Sequence, residues 1–278
     1  MKLFKNWRLR KPETDDGSVY ISERFGVRTL HIGSDTVQSA MRLARPNDLE
    51  LSYTRSMMAF LLFHSDPRTV LMIGLGGGSL AKFVHQRLPA VRTVAVEINS
   101  RVVTVARQYF GLPDEDERLN VIVGDGSAYL ANGTAHVDVV MVDGYDAHSQ
   151  VAEVATPAFY SDCFNALNKN GVLVVNLWGG DRSFRACVDS IAAAFNNRIL
   201  CLPAGRPGNV VIMGMHDLPQ RLEWAELRER GRQLEKSLAL EFARFVDELR
   251  KMNAFDAKGL LLCKGAFHNA RNMEEFDE

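Results

Sequence analysis

The sequence predicts an α/β fold built on a mostly parallel, doubly wound sheet. Runs that are apolar on both faces, such as TVLMIG at 69–74 and GVLVVNLW at 171–178, alternate with helix-like runs such as LAKFVHQRL at 80–88. Strands buried on both faces and joined by helices form parallel sheets that helices cover on both sides. The 278 residues are enough for one large domain, or for a main domain with small additions.

The predicted elements follow one another in a regular order. Alternation around Phe25-Gly26 predicts a β-hairpin over 18–32, a further β-like piece covers 35–44, and helical spacing predicts an entering helix over 49–64. Strand patterns then occur at 69–74, 93–99, 119–126, 137–146 and 171–178. Helix patterns occur between them and after them, at 80–88, 100–110, 127–131, 159–171 and 183–195.

The end of the sheet has a different pattern. NRILCLP at 197–203 and NVVIMGM at 209–215 are strand-like, and only AGRPG separates them. That connection is too short for a crossover helix, so these two strands are predicted to be antiparallel. A mostly parallel seven-stranded sheet with an antiparallel last strand is the layout of the Rossmann-like S-adenosylmethionine-dependent transferases.

The C-terminal part has a helical pattern. Apolar residues recur every three or four positions from Leu227 to Met252, which predicts one long amphipathic helix. Packing on the main domain is favoured over a dimerising coiled coil, because the stripe lasts only a few turns. The predicted organisation is an N-terminal β-hairpin part with the entering helix at 1–62, a Rossmann-like nucleoside-binding domain at 63–216, and a helical tail at 217–278.

Composition excludes several classes of function. A formal net charge of −1 and a pI near 6.7 argue against a nucleic-acid partner. No apolar run is long enough to span a membrane, and the basic start lacks the apolar core of a secretory signal, so the expected location is the cytoplasm. The four cysteines form no CxxC pair and the histidines show no close spacing, which predicts reduced thiols and no metal site.

A glycine-rich turn follows the strand at 69–74. Gly74, Gly76 and Gly78 form a G-x-G-x-G pattern, which lets the chain turn tightly and a ligand approach the backbone. No Lys-Ser/Thr follows, which argues against a nucleoside triphosphate loop. Glu97 ends the next strand, where a carboxylate can accept hydrogen bonds from both hydroxyls of a ribose. A nucleoside site is therefore favoured over packing glycines and a solvent-facing charge.

Asp125 and Gly126 end the third strand of the sheet. An acid at this place commonly accepts a hydrogen bond from an adenine amino group, and a glycine allows close contact. A helix N-cap for the following SAYL segment is an alternative of nearly equal weight, and the two interpretations are compatible.

Asp143 and Asp146 follow the fourth strand of the sheet. Ligands of open α/β sheets bind beyond the carboxyl ends of the strands. Two carboxylates there can hold a cationic amine or take a proton from it. A functional interpretation is favoured over loop capping for Asp143, and the two are even for Asp146.

The run from the glycine loop through VAVEIN, VGDG, VDGYD and FYSDCFNALNKNGVLVVN resembles the spermidine synthase (polyamine aminopropyltransferase) family, over about residues 20–215. The acids of DGYD match those of the family's D-S-S-D. Met72 stands where methyltransferases usually carry an acid. The N-terminal hairpins that end near Gln38, and Tyr53 in the entering helix, also fit the family.

The resemblance implies roles for the donor half of the site. It assigns Gln38 and Glu97 to the sugar or methionine-derived part of the nucleoside, and Asp125 to its adenine. The glycine loop would hold the thioether or sulfonium. The implied donor is decarboxylated S-adenosylmethionine, which needs no metal because a sulfonium is already a good leaving group.

In the amine half, the resemblance makes Asp143 the base that acts on the attacking amine, with Asp146 and Tyr53 beside it. The chain departs from the family at Gly77, where the family's loop carries an Asp. It departs again at Arg55, where the family's entering helix carries a Glu.

Three functions follow from these observations. The first is transfer of an aminopropyl group to a small-molecule amine acceptor, with a homodimer suggested by the family. The second is methyl transfer from S-adenosylmethionine, whose carboxylate would pair with Arg55. The third is a catalytically silent nucleoside-binding or assembly protein.

Overall fold

The computed structural model describes residues 18–144, 156–205, 208–217 and 219–262. It begins with a three-stranded antiparallel sheet of β1 (Val19–Arg24), β2 (Val27–Ile32) and β3 (Ser39–Arg42). Phe25 and Gly26 both have positive φ, which is the backbone of the tightest hairpin turn, so the predicted hairpin is confirmed. The entering segment is a short helix, α1 (Ser52–Met57), that continues as a 3-10 turn over Met58–Leu62.

A seven-stranded mixed sheet forms the centre of the molecule. Its strands are β4 (Thr69–Ile73), β5 (Arg92–Glu97), β6 (Leu119–Val123), β7 (Val137–Val142), β8 (Leu167–Trp178), β9 (Ile199–Pro203) and β10 (Asn209–Met215). The order is β6-β5-β4-β7-β8-β10-β9, and β10 runs antiparallel to both of its neighbours. The predicted sheet with an antiparallel last strand is confirmed.

Helices cover both faces of this sheet. They are α2 (Ser79–Arg87), α3 (Ser100–Tyr109), α4 (Gly126–Ala131), α5 (Pro157–Ala166), α6 (Phe184–Ala194), α7 (Trp224–Leu238) and α8 (Phe242–Glu248). Side chains of β4 alternate between two apolar clusters: Val70 and Met72 face one side, and Leu71 and Ile73 face the other. Burial on both faces explains why the strand is apolar throughout.

The fifth helix is shorter than predicted. The pattern predicts a helix over 159–171, but α5 ends at Ala166 and β8 begins at Leu167. Leu167 pairs with Val137 on β7, and the Asn168 amide donates to the Asp138 carboxylate at 2.9 Å. These long-range contacts outweigh the helical spacing of the local sequence.

The tail is two helices, so the prediction of one long helix is wrong. The chain breaks at Ala239, which has a φ of +55°, between α7 and α8. The break buries Leu240 in the apolar cluster that contains the tail helices and one face of the sheet. A two-stranded ribbon of β11 (Arg221–Glu223) and β12 (Gly259–Leu261) closes the tail. Packing of the tail on the main domain is as predicted, and Arg230 donates to the carbonyl oxygen of Leu62.

The predicted domain boundaries at residues 62 and 216 stay a prediction. One apolar cluster contains side chains from all three segments, so the core is not divided at these positions. Cys163, Cys187 and Cys201 are buried free thiols, and Cys263 lies outside the described residues. Within the described ranges, the longest apolar helical stretch falls short of what a bilayer crossing requires.

A buried lysine on α2 ties the N-terminal sheet to the central one. Lys82 is 3% exposed, and its ammonium donates to the carbonyl oxygens of Pro46, at 2.7 Å, and of Phe110, and lies 3.3 Å from the sulfur of Met41. Burial lowers the pKa of Lys82 from 10.5 to about 8. The unfolded chain therefore binds more protons than the folded chain between these two pH values.

We predict that Lys82 makes the stability of the protein rise with pH between about 8 and 10.5. Lys82→Met removes this contribution, so the advantage of the wild type over the variant should grow by about 2–3 kcal/mol from pH 7.5 to 10. Urea unfolding at several pH values measures it. Lys169→Met, at an exposed lysine, is the control and should give a constant difference. A constant difference for Lys82→Met would contradict the prediction.

Candidate active site

The glycine loop packs directly against the end of β7. The amide of Asp143 donates to the carbonyl of Ile73, and the amide of Gly74 donates to the carbonyl of Val96, each at 2.9 Å. Gly74 has a φ of +91°, and a Cβ added to it would lie 2.3 Å from the carbonyl oxygen of Asp143. Only glycine allows this approach, so the loop and the β7 end form one surface at the carboxyl edge of the sheet.

Backbone amides hold the carboxylate of Glu97. The side chain is 8% exposed. Its Oε2 accepts from the amide of Leu75 in the glycine loop, and its Oε1 accepts from the amide of Asn99, both at 2.9 Å. A carboxylate has about four acceptor sites, so two remain beyond these bonds. Glu97, at the end of β5, is thus a fixed hydrogen-bond acceptor beside the glycine loop.

Asp143 is the half-buried carboxylate of the site. Its Oδ1 accepts from the side-chain amide of Asn176 at 2.9 Å, and its Oδ2 lies 3.0 Å from the hydroxyl of Tyr53 on α1. Desolvation raises the pKa of Asp143 above its ordinary value, and the charge of Glu97 raises it further. The two donors oppose this shift. The structure therefore brings together three of the predicted site residues: Tyr53, Glu97 and Asp143.

Asp125 caps α4, as the second interpretation of the sequence predicts. Its Oδ1 accepts from the amide of Ser127 at 2.8 Å and from that of Ala128 at 3.4 Å. The side chain is exposed at the carboxyl edge. A Cβ at Gly126 would lie 2.5 Å from the side chain of Ile73, so this glycine is required for packing against β4. A nucleoside contact by Asp125 is compatible with the cap.

The N-terminal sheet closes over the other side of the loop. The carbonyl oxygen of Gln38 lies 3.2 Å from the Tyr53 hydroxyl. Gly76 and Gly78 both have positive φ. A Cβ at Gly77 would lie 2.7 Å from the hydroxyl of Ser39 and 2.9 Å from the ring of Phe110. Gly77, where the family carries Asp, is thus enclosed by packing in this chain.

Arg55 points away from the Asp143 cluster, towards the tail. Its Nη1 donates to the carbonyl oxygens of Leu49 and Glu50, and its Nε donates to Glu241 at 3.0 Å. The expected pairing of Arg55 with a donor carboxylate therefore has no support from the structure. The partner of this cation is Glu241, at the start of α8.

Three residues that lie at this edge were not predicted from the sequence: Asn176, Asn209 and Ile98. Asn176 is 3% exposed and accepts at Oδ1 from the amide of Asn209 at 3.0 Å. Its signal was a single amide within the apolar strand GVLVVNLW. Ile98 follows Glu97 and is 69% exposed, which is unusual for a large apolar side chain beside a polar cluster.

Asp146 lies outside the described residues, so its predicted place beside Asp143 stays a prediction. Over the described ranges, His, Cys, Asp and Glu side chains form no group of three or more that could hold a metal ion. The polar groups of the described site are carboxylates, amides and a phenol.

Comparison with known proteins gives consistent matches. A model of the spermine/spermidine synthase domain matches residues 50–178. The chain is 41% identical to a polyamine aminopropyltransferase of Chromobacterium violaceum, over 88% of this chain and 94% of the relative. A probable spermidine synthase from Corynebacterium glutamicum shares the fold with a TM-score of 0.64 and 18% identity, covering 85% and 95% of the two chains. Human methyltransferase-like protein 13, solved in complex with SAH, is similar with a TM-score of 0.61 and 25% sequence identity. The match covers 74% of this chain and 96% of that protein's chain.

We predict that Gly74→Ala destabilises the protein by roughly 3–5 kcal/mol, because both the backbone conformation and the contact with Asp143 exclude a Cβ. Gly133→Ala is the matched control. Gly133 also has a positive φ, of +65°, but a Cβ there meets nothing within 4 Å, so we expect about 1–2 kcal/mol. Urea unfolding measures both, and equal costs would contradict the close packing of the loop on β7.

Proposed function

The chain belongs to the spermine/spermidine synthase family, and we propose that it transfers an aminopropyl group from decarboxylated S-adenosylmethionine to a small amine acceptor. The observation that carries the proposal is the Asp143 carboxylate, held by Tyr53 and Asn176 beside the glycine loop. A base placed next to a nucleoside site is what this reaction requires.

Glu97 supports binding of the donor nucleoside. Its two oxygens are fixed by the amides of Leu75 and Asn99, so it needs no rearrangement to accept from the two ribose hydroxyls. Ile98 provides exposed apolar surface for a flat ring next to it, and Asp125 is proposed to accept from an adenine amino group. The loop over 74–78 is proposed to hold the sulfur end of the donor.

The donor supplies a positively charged sulfur that is a good leaving group. The acceptor nitrogen attacks the aminopropyl carbon bound to that sulfur, a C–N bond forms, the C–S bond breaks, and methylthioadenosine leaves. The nitrogen must lose one proton to gain its attacking lone pair, since an alkyl ammonium has a pKa of about 10. This chain therefore has to bind the acceptor and accept its proton.

Asp143 is the group proposed to accept that proton. Desolvation raises its pKa towards that of the amine, which makes it a stronger base than an exposed aspartate. Tyr53 and Asn176 fix both carboxylate oxygens and hold the base in one orientation. Tyr53 and Asp146 are proposed to line the acceptor site.

Aminopropyl transfer is favoured over methyl transfer by the relative from Chromobacterium violaceum, which aligns along most of its length. Arg55, the residue on which the methyl-transfer hypothesis depended, is bound to Glu241 and to two backbone carbonyls. The small-molecule amine acceptor and the homodimer are proposals that the family resemblance supports, and the cytoplasmic location stays a prediction from the sequence.

The test is a product assay. Purified protein is mixed with decarboxylated S-adenosylmethionine and a series of diamines, and methylthioadenosine and aminopropylated amine are measured by mass spectrometry. We predict equal amounts of both products, and a loss of turnover of roughly 100-fold or more in Asp143→Asn with nucleoside affinity within a few-fold. Asp189→Asn, on the exposed side of α6, is the control.

Two results would overturn the proposal. One is methyl transfer from S-adenosylmethionine, seen as S-adenosylhomocysteine, without aminopropyl transfer. The other is unchanged turnover in Asp143→Asn with every accepted amine.

We predict that Glu97→Gln weakens binding of methylthioadenosine by about 1–3 kcal/mol, because charge-assisted hydrogen bonds in a buried site are lost. Calorimetry measures the affinity. ATP and NAD should bind neither the wild type nor the variant. An unchanged affinity would remove Glu97 from the ribose site.

A further inference from the structure

A row of polar side chains crosses the carboxyl edge of the sheet from α1 to β10. The Tyr53 hydroxyl lies 3.0 Å from Oδ2 of Asp143, Asn176 donates to Oδ1 of Asp143 at 2.9 Å, and Asn209 donates to Oδ1 of Asn176 at 3.0 Å. The bonds join Tyr53 on α1 to Asp143, which follows β7, then Asp143 to Asn176 on β8, and Asn176 to Asn209 on β10; β7, β8 and β10 are neighbours in the sheet.

The negative charge of Asp143 fixes the donor-to-acceptor direction of the hydrogen bonds in this row. An ionised carboxylate is only an acceptor, so Asn176 must turn its NH2 group towards Asp143. The amide oxygen of Asn176 then faces β10. Because Asn176 is 3% exposed, this oxygen needs a donor from the protein, and Asn209 supplies it.

The backbone around Asn209 is held on both sides. Its own carbonyl accepts from the amide of Ala204 at 2.8 Å, and the carbonyl of Gly208 accepts from the amide of Gly179 at 2.9 Å. Asn209 is the first residue of β10, and it pairs with Trp178, the last residue of β8. The antiparallel direction of β10 is what brings its first residue to the carboxyl edge.

We propose that Asn209 is a positioning residue for proton transfer, which orients the amide of Asn176 so that this amide donates to Asp143. This inference rests on the proposed function and adds a residue to it. Asn209 acts only through Asn176. Losing its donor frees Asn176 to rotate, and an amide oxygen turned towards Asp143 disfavours the carboxylate. The ionisable groups that face Asp143 among the described residues are Glu97 and Tyr53, and neither changes in the variants used below.

The test is a double-mutant cycle of Asn209→Leu and Asn176→Leu, two replacements of similar size without hydrogen-bonding groups. The readout is the titration midpoint of Asp143 from its carboxyl carbon NMR signal, assigned with Asp143→Asn. We expect Asn209→Leu to raise the midpoint by about half a unit to one unit. The acidic limb of the pH profile of kcat/KM should move equally, with KM for the donor within two-fold.

The cycle separates a positioning residue from a structural one. In the Asn176→Leu background, Asn209→Leu should not move the midpoint further. An equal shift in both backgrounds, or no shift in either, overturns the proposal. Asn120→Leu, at an exposed strand position on β6, is the control and should leave the midpoint unchanged.

A second variant covers the case in which Asn209→Leu does not fold. Asn209→Asp has the native shape but presents acceptors to Asn176, so it should raise the midpoint by more than one unit, and this rise should vanish in Asn176→Leu. A rise that persists there is direct charge repulsion and overturns the proposal. The NMR titration of Asp143 needs no turnover. If the wild type shows no aminopropyl transfer, the proposed function is refuted, and the titration still shows whether Asn209 positions Asn176.

Discussion

Two carboxylates with little access to water lie at one edge of the sheet, and much of the local structure satisfies them. Glu97 takes its donors from the glycine loop and from the turn before α3. Asp143 takes its donors from α1 and β8. A buried charge without such partners costs several kcal/mol, so the positions of four separate elements are coupled to these two side chains. The same hydrogen bonds are present without any ligand.

The antiparallel strand β10 gives this edge more groups than a fully parallel sheet would. In a parallel arrangement, the first residue of every strand lies at the opposite edge. Because β10 is reversed, the turn between β9 and β10 returns to the edge that holds Asp143, and Asn209 reaches Asn176. Apart from Gln38, the residues proposed to bind the donor lie at the ends of β4, β5 and β6, and the proposed base with its amide partners lies at the ends of β7, β8 and β10. The two halves meet where β4 pairs with β7: the amide of Asp143 donates to the carbonyl of Ile73, and Gly74 packs against the carbonyl of Asp143.

The sequence predicted the sheet, since its strands depend on short-range patterns, and the proposed donor half of the site rests on patterns of the same kind. Strands apolar on both faces, glycines after the first of them and acids at three strand ends can be read within a few residues. The partner of Arg55 could not be predicted, because Glu241 is 186 residues away. The end of α5 and the break at Ala239 depend on the pairing of Leu167 and the burial of Leu240, which local spacing does not contain. Asn176 was visible as a polar exception in a strand, but its use depends on which strands become neighbours.

The contacts between α1 and the tail affect the order in which the protein is completed during synthesis. Helix α1 has six residues, too few to be stable alone, and carries Tyr53. The side chain of Arg55 on α1 donates to the carboxylate of Glu241. Arg230 donates to the carbonyl oxygen of Leu62, the last residue of the 3-10 turn that follows α1. Domains fold as their residues emerge from the ribosome. A chain that ends after β10 contains every other described residue of the site, but it lacks both partners of the segment that carries Tyr53. The segment that presents Tyr53 to Asp143 is therefore anchored by residues that follow the whole central sheet in the chain.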